Sequence, residues 1–194
     1  MKLKTIIISL IGISLLFTLG IWIQNQEKIT DTNSAIQNVT KKEIEDRTQN
    51  YIKSWEGKVL PTLEVLDTSG NTLSLSSDSK QYTIYIVWAS WCPDCQRGLP
   101  IINRVYADYK EKARFISIAL INFRGETFDS AKTFYNKHQL NLPVFFDKDN
   151  MVYHSLNIKA IPTIYIVNQD GIIEKVIIES TEKSELLSLL EEIS

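Results

Sequence analysis

The feature that most restricts the fold is the run from Tyr82 to Trp88, all apolar, aromatic or β-branched, which passes through a short turn into a helical pattern. An unbroken run of this kind fits a strand buried on both faces, and so a sheet covered on both sides. The helix that follows is read from Leu99, Ile102, Val105 and Tyr106. The alternation then repeats. Arg114 to Ile121 reads as a second buried strand, and Thr127 to His138 has helical spacing in Phe128, Ala131, Phe134 and Tyr135. Val144 to Phe146 is a short strand and Asp149 to Leu156 a short helix. Pro162 to Val167 and Ile172 to Ile178 are strands joined by Asn168-Gln169-Asp170-Gly171, whose Asp-Gly pair signals a hairpin. Glu182 to Ile193 closes the chain as an amphipathic helix. Upstream, Val59 to Leu66 and Thr72 to Leu75 flank the turn cluster Asp67-Thr68-Ser69-Gly70-Asn71 and form a first hairpin. Strands alternating with helices give a parallel core, and the hairpins add antiparallel strands. The expected class is α/β, a central mixed sheet flanked by helices.

The amino-terminal segment is of a different kind. Thr5 to Ile23 runs 19 residues without a charge. As a helix it would span about 28 Å, close to the bilayer core. It exceeds the usual apolar core of a signal peptide, about 7–15 residues. No A-x-A-like cleavage site follows, and both cysteines lie too far downstream to accept a lipid. The expectation is an uncleaved single-pass anchor in the cell membrane, with a cleaved and secreted form as the alternative. Lys2 and Lys4 precede the span and stay in the cytoplasm by the positive-inside rule, so the remainder faces outward. Gln24 to Val39 is polar and reads as a linker. Thr40-Lys41-Lys42-Glu43 fits a capping box, and Ile44, Tyr51, Ile52 and Trp55 lie near one face of the helix that would follow, with Gly57 as its stop. That helix either packs on the domain or forms a stalk. The organisation is therefore 1–23 anchor or signal, 24–58 linker and amphipathic helix, and 59–194 folded domain.

Composition excludes several functions. With 194 residues, 44% hydrophobic and 23% charged, the chain is globular rather than disordered. A net charge of −2 gives no basic footprint, so no nucleic-acid partner is expected. Two cysteines are too few for a disulfide-stapled scaffold or an all-cysteine zinc site. His138 and His154 are not at ligand spacing and read as surface or packing residues. Position 96 is Gln, where haem attachment needs His. No metal and no cofactor is expected.

Cys92-Pro93-Asp94-Cys95 lies between a buried strand and a helix start. Free N–H groups and the helix dipole at that end favour a sulfur anion at Cys92. The i,i+3 spacing brings both sulfurs within bonding reach, so one can attack a disulfide and the other can resolve the mixed disulfide. Pro93 suits the first helical turn. Cys92 is expected to be the exposed nucleophile and Cys95 the buried resolving thiol. An inert structural disulfide is the alternative, although so short a loop gives little stabilisation. Trp88 reads as core. Trp91, beside Cys92, reads as part of a hydrophobic collar for substrate. Arg124-Gly125-Glu126 reads as a strand-to-helix connection only.

Residues 59–194 resemble the thioredoxin superfamily, and most closely its membrane-anchored, extracytoplasmic TlpA/ResA-like branch. The resemblance rests on Val87-Trp88-Ala89-Ser90-Trp91-Cys92-Pro93-Asp94-Cys95, on Pro100 in the following helix, and on Leu156-Asn157-Ile158-Lys159-Ala160-Ile161-Pro162-Thr163 about 70 residues on. The early hairpin with Leu73-Ser74-Leu75 resembles the amino-terminal addition of that branch. The resemblance implies a thioredoxin-like fold with an amino-terminal hairpin extension. It also implies a cis peptide before Pro162, and a groove where Ile161 and Pro162 hold an extended substrate beside Cys92. The implied activity is thiol-disulfide exchange with exported proteins, more in the reducing direction, as in cytochrome c maturation, with a membrane redox partner recharging the pair. Ile86 and Gly98 stand where relatives carry acids, which leaves the proton-managing acid for Cys95 unassigned. Two other functions share this fold. A peroxiredoxin-type peroxidase usually has Thr where Ala89 stands. A redox-inactive accessory or copper-delivery module usually has a wider cysteine spacing and a ligand His near the cis-proline.

Overall fold

Side-chain alternation along the central strand divides the core in two. In β3 (Thr83–Trp88) every residue is buried. Ile84, Ile86 and Trp88 face one layer, and Tyr85 and Val87 face the other. The structure is a computed structural model that describes residues 19, 22, 26 and 37–192, apart from 77–78 and 179–182. Six further strands complete one sheet: β1 (Leu63–Leu66), β2 (Thr72–Leu75), β4 (Arg114–Ala119), β5 (Val144–Asp147), β6 (Thr163–Val167) and β7 (Ile173–Ile178). Their order is β2-β1-β5-β4-β3-β6-β7. β3, β4 and β5 run parallel, while β6 and β7 on one side and β1 and β2 on the other are antiparallel to their neighbours.

β3, β4 and β5 lie side by side in chain order, and the right-handed crossovers that such units favour place successive helices on one face. α2 (Pro93–Tyr109) and α3 (Phe128–Lys137) therefore share a layer, joined there by α5 (Lys183–Glu192). Leu99, Ile102 and Val105 of α2, Phe134 of α3, and Leu186 and Leu190 of α5 fill that core together with Trp88. Trp88 is fully buried against Phe134 at 5.5 Å, in the core role read from the sequence. On the opposite face, α4 (Met151–Ser155) and Tyr51, Ile52 and Trp55 cover Tyr85, Tyr165 and Ile118.

By backbone proximity the chain divides into two units, Met1–Gln49 and Asn50–Ser194. Residues 37–55 are helical (α1), and those in the first unit carry exposed i,i+4 ion pairs, Lys41–Glu45 and Glu43–Arg47. Thr40 lies inside this helix and is not its amino cap, and 37–39, assigned to the linker by composition, are helical. No Pro or Gly interrupts 37–40, so the helical hydrogen-bond ladder overrides the local capping preference. At the other end, Gly57 takes φ +83 and donates its N–H to the Ile173 carbonyl at 2.8 Å, a backbone position suited to glycine. In the second unit, Tyr51 Oη donates to the Leu156 carbonyl at 2.9 Å and lies 2.5 Å from Tyr165 Oη. The expected anchor over 1–23 falls outside the described residues, apart from Leu19 and Trp22, which are helical and exposed. Among the described residues no helix is long and apolar enough to cross a membrane.

Candidate active site

Four segments meet beyond the carboxyl ends of the parallel strands, where open α/β sheets form their clefts. They are the β3–α2 turn, the β4–α3 loop, the α4–β6 connection and the first turn of α2. Cys92 is the amino cap of α2, with extended backbone (φ −79, ψ 120), and its Sγ accepts the N–H of Cys95 at 3.4 Å. Pro93 follows in the first helical turn, where a missing N–H matters least. The helix end is further tied by Cys92 N–H to the Ala89 carbonyl at 3.2 Å and by Gln96 Nε2 to the Ser90 carbonyl at 2.7 Å. Asp94 forms an ion pair with Arg97 one turn on.

The Ile161–Pro162 peptide is cis, and the Ile161 carbonyl accepts the Cys92 thiol proton at 3.3 Å. Ile161 is half-buried and Pro162 buried. Thr163 Oγ1 fixes the bend by donating to the Ala160 carbonyl at 2.7 Å. Cys92, Cys95, Ile161 and Pro162 are thus brought together, as expected. Trp91 joins them at a cavity of about 360 Å³ beside Cys92. Its ring stacks against Phe123 at 5.9 Å, and Phe123 against Tyr153 at 4.9 Å, giving the cavity an aromatic wall.

Both cysteines are free thiols. Cys92 is only 4% exposed, so the expectation of an exposed nucleophile is corrected. Its sulfur turns inward beneath the Ile161 carbonyl instead of outward. The order of exposure holds, since Cys95 is fully buried. Burial pushes the Cys95 thiol well above the ordinary range of a cysteine. Its hydrogen bond with Cys92 and the nearby Asp94 charge act in the same direction, and a backbone hydrogen bond at Ala89 opposes them. Cys95 is therefore held as a thiol, with a covered sulfur that only a neighbouring group can reach.

The β4–α3 loop is more than a connection, which corrects the sequence reading of Arg124-Gly125-Glu126. Glu126 is 3% exposed. Its carboxylate accepts the backbone N–H of Ser90 at 2.5 Å and the Ser90 hydroxyl at 2.9 Å. It also accepts the hydroxyl of Ser130, which itself accepts the Thr127 N–H at the amino end of α3. One buried carboxylate thus joins the turn two residues before Cys92 to the start of α3. Arg124 lies over both Trp91 and Phe123, 5.5 Å from each ring centre. The available signal was positional: an acid directly before a helix-capping Thr, at the carboxyl end of a parallel strand. His138 caps α3 and packs on Phe134, and His154 lies exposed on α4.

Comparison with known proteins agrees with this geometry. The family model described as AhpC/TSA family matches residues 57–176. The thiol-disulfide oxidoreductase ResA of Bacillus cereus is 30% identical over 139 residues, covering 71% of this chain and 78% of that protein. ResA of Bacillus subtilis is 26% identical over 122 residues, 63% of this chain and 66% of its own length. Among solved structures, StoA from Bacillus subtilis superposes with a TM-score of 0.58 at 24% identity, covering 67% of this chain and 96% of that one. The sheet order, the paired cysteines at the head of α2 and these matches agree, and the chain belongs to the AhpC/TSA family, among its thioredoxin-like, ResA-related members.

Proposed function

We propose that this protein is an extracytoplasmic thiol-disulfide oxidoreductase, held to the cell membrane by residues 1–23, that reduces disulfides in exported proteins through Cys92 and Cys95. The observation that carries the reading is the pairing of a helix-capping sulfur, 3.3 Å from the Ile161 carbonyl, with a fully buried second thiol. Cys92 loses its proton and attacks one sulfur of the client disulfide. A mixed disulfide forms and the client's other sulfur leaves as a thiolate, which takes up a proton. Cys95 then gives up its proton and attacks Cys92 Sγ, which forms the protein disulfide and frees the second client thiol. Two electrons and two protons pass from the protein dithiol to the client. A membrane redox partner restores the dithiol by the reverse exchange.

Trp91, Ile161 and Pro162 form the client groove in this scheme, with the Ile161 backbone pairing to an extended segment. The reducing direction is drawn from the likeness to the ResA relatives, and the potential of such pairs depends on how well the reduced form is stabilised. The test is insulin disulfide reduction. Cys92→Ser should abolish turnover, whereas Cys95→Ser should accumulate mixed disulfides visible on non-reducing gels. Normal turnover by Cys92→Ser refutes the scheme. Equilibration with glutathione sets the direction, and protease treatment of intact cells tests the location: a domain that resists shaving is not outside. The family match also invites a peroxidase reading. Ala89, where such enzymes usually have Thr, speaks against it, and peroxide consumption by the reduced protein decides.

A further inference from the structure

We infer that the cavity beside Cys92 selects client segments bearing a carboxylate within a residue or two of the reacting cysteine, with Arg124 and Lys159 as the specificity-determining residues. The inference rests on the oxidoreductase reading and names its substrate class. The cavity has an apolar wall of Trp91, Phe123 and Tyr153. Charge enters it from three side chains: Asp94, Arg124 and Lys159. Asp94 is already paired with Arg97. Glu126, two residues from Arg124 in sequence, is 3% exposed beneath Ser90 and Ser130 and does not line the cavity. Among the described residues neither Arg124 nor Lys159 has an ion-pair partner. Lys159 donates only to the neutral amide of Asn157, at 2.6 Å. The cavity therefore presents two uncompensated cations beside one compensated anion.

Arg124 is also placed in advance. Its backbone is left-handed (φ 50), between Asn122 (φ 61) and Gly125 (φ 82), an arrangement an arginine rarely adopts unless its surroundings impose it. The loop is closed by Asn122 N–H to the Glu126 carbonyl at 2.8 Å and by Glu126 N–H to the Phe123 carbonyl at 3.0 Å. A guanidinium resting on two aromatic faces keeps its N–H edges free for a carboxylate. The fitting occupant is an extended segment that pairs with Ile161, sets an apolar side chain on the aromatic wall and directs an Asp or Glu to these cations.

The test uses the reduced full-length protein and two synthetic peptide disulfides identical except for Glu or Lys on either side of the cysteine. Each rate constant is divided by that of the same peptide with dithiothreitol, which removes the peptide's own reactivity. The wild-type protein should favour the Glu peptide by roughly tenfold, the lower range of charge steering, and lose that preference as salt rises. Arg124→Gln with Lys159→Gln should bring the ratio to within about twofold of unity. Lys159→Gln alone, a change at an exposed side chain that leaves the fold intact, should lower it part of the way. Arg124→Glu should invert it. A ratio unmoved by these substitutions overturns the selection while leaving the oxidoreductase reading in place. Failure to reduce either peptide overturns both.

Discussion

Removing the Glu126 carboxylate should separate the active-site turn from α3, and the cost can be worked from its hydrogen bonds. Glu126→Ala removes the acceptor of three donors: the Ser90 N–H, the Ser90 hydroxyl and the Ser130 hydroxyl. The hydroxyls can rotate toward other acceptors, and the structure already places the Thr127 carbonyl 3.0 Å from Ser130 Oγ. The Ser90 N–H is fixed by the backbone. Leaving a buried donor unmade costs about 1–3 kcal/mol, and bonds to a charged group are worth about 1.5–3 kcal/mol. Together with the lost packing of a side chain 3% exposed, about 3 kcal/mol is expected. At this chain length each 1 kcal/mol moves Tm by about 2–4 °C, so the midpoint should fall by roughly 6–12 °C. Glu126→Gln can keep its oxygen on the Ser90 N–H and turn its amide to the two hydroxyl oxygens, so it should lose no more than about a third of that. Calorimetry gives the stabilities. Single-turnover reduction of a peptide disulfide, at least 20 °C below the variant's midpoint as an order-of-magnitude margin, gives the effect on Cys92. A slower rate for Ala than for Gln, in folded protein, is expected because the tether ends two residues from that sulfur. An alanine variant within 2 °C of wild type, about 1 kcal/mol or less by the same conversion, would show that the carboxylate does not hold the turn.

Three further outcomes follow from buried polar groups elsewhere. Tyr51 spends its proton on the Leu156 carbonyl, so the contact at 2.5 Å is made by the Tyr165 hydroxyl donating to Tyr51. Tyr51→Phe leaves both partners unmade and should destabilise by about 1–3 kcal/mol in urea unfolding; no change would show that the Tyr51 hydroxyl does not support the fold. Burial, with the adjoining Tyr51 hydroxyl, pushes the Tyr165 phenol far above its ordinary value of 10.0. Its stabilising contribution is complete below pH 10 and is lost above it, so tyrosine absorbance at high pH should rise in two phases, the later one with unfolding; a single phase in native protein contradicts this. Asp147 is pushed up to about 6 from 3.8, chiefly by burial and against its hydrogen bonds from the Val152 and Tyr153 N–H groups. The folded state thus holds the proton more tightly, so its contribution is complete below pH 3.8 and falls away up to about pH 6. The stability difference between Asp147→Asn and wild type should shift toward Asn by about 3 kcal/mol across that window. A difference that is flat with pH refutes the assignment to this carboxylate.

The order of strands and helices was legible because each element has a local cause. β3 was read from an unbroken apolar run, and its six buried residues are the result. The last hairpin was read from Asp170-Gly171, where Gly171 takes φ 78 and the Asn168 side chain accepts two N–H groups of the turn, each at 3.0 Å. The sulfur pair and the cis-proline loop were legible as motifs. The role of Glu126 was not, because Ser90 lies 36 residues away in sequence and meets it only once β3 and β4 pair in parallel. Thr40 failed for the opposite reason. A strong local signal was outvoted by a helix that continues through it. The outward face of Cys92 failed because composition around a helix cap does not say which way a sulfur turns when a second loop offers it a carbonyl.

That inward turn decides where discrimination between clients can act. Cys95 is fully covered and held protonated, so it cannot meet a client first. Cys92 has 4% of its surface open, reached along Ile161 and past Trp91. In the proposed scheme a client disulfide displaces the Cys92–Ile161 contact and lays its own backbone in the groove before sulfur transfer begins. The inferred contacts with Arg124 and Lys159 would form in that encounter and so act on the bimolecular formation of the mixed disulfide. Resolution is then an intramolecular attack by Cys95 from within the first turn of α2, governed by burial and by the turn that Glu126 holds. Charge around the client cysteine and stability of the active-site turn should accordingly appear in different rate constants, the first in the second-order step and the second most clearly in the first-order release of client thiol.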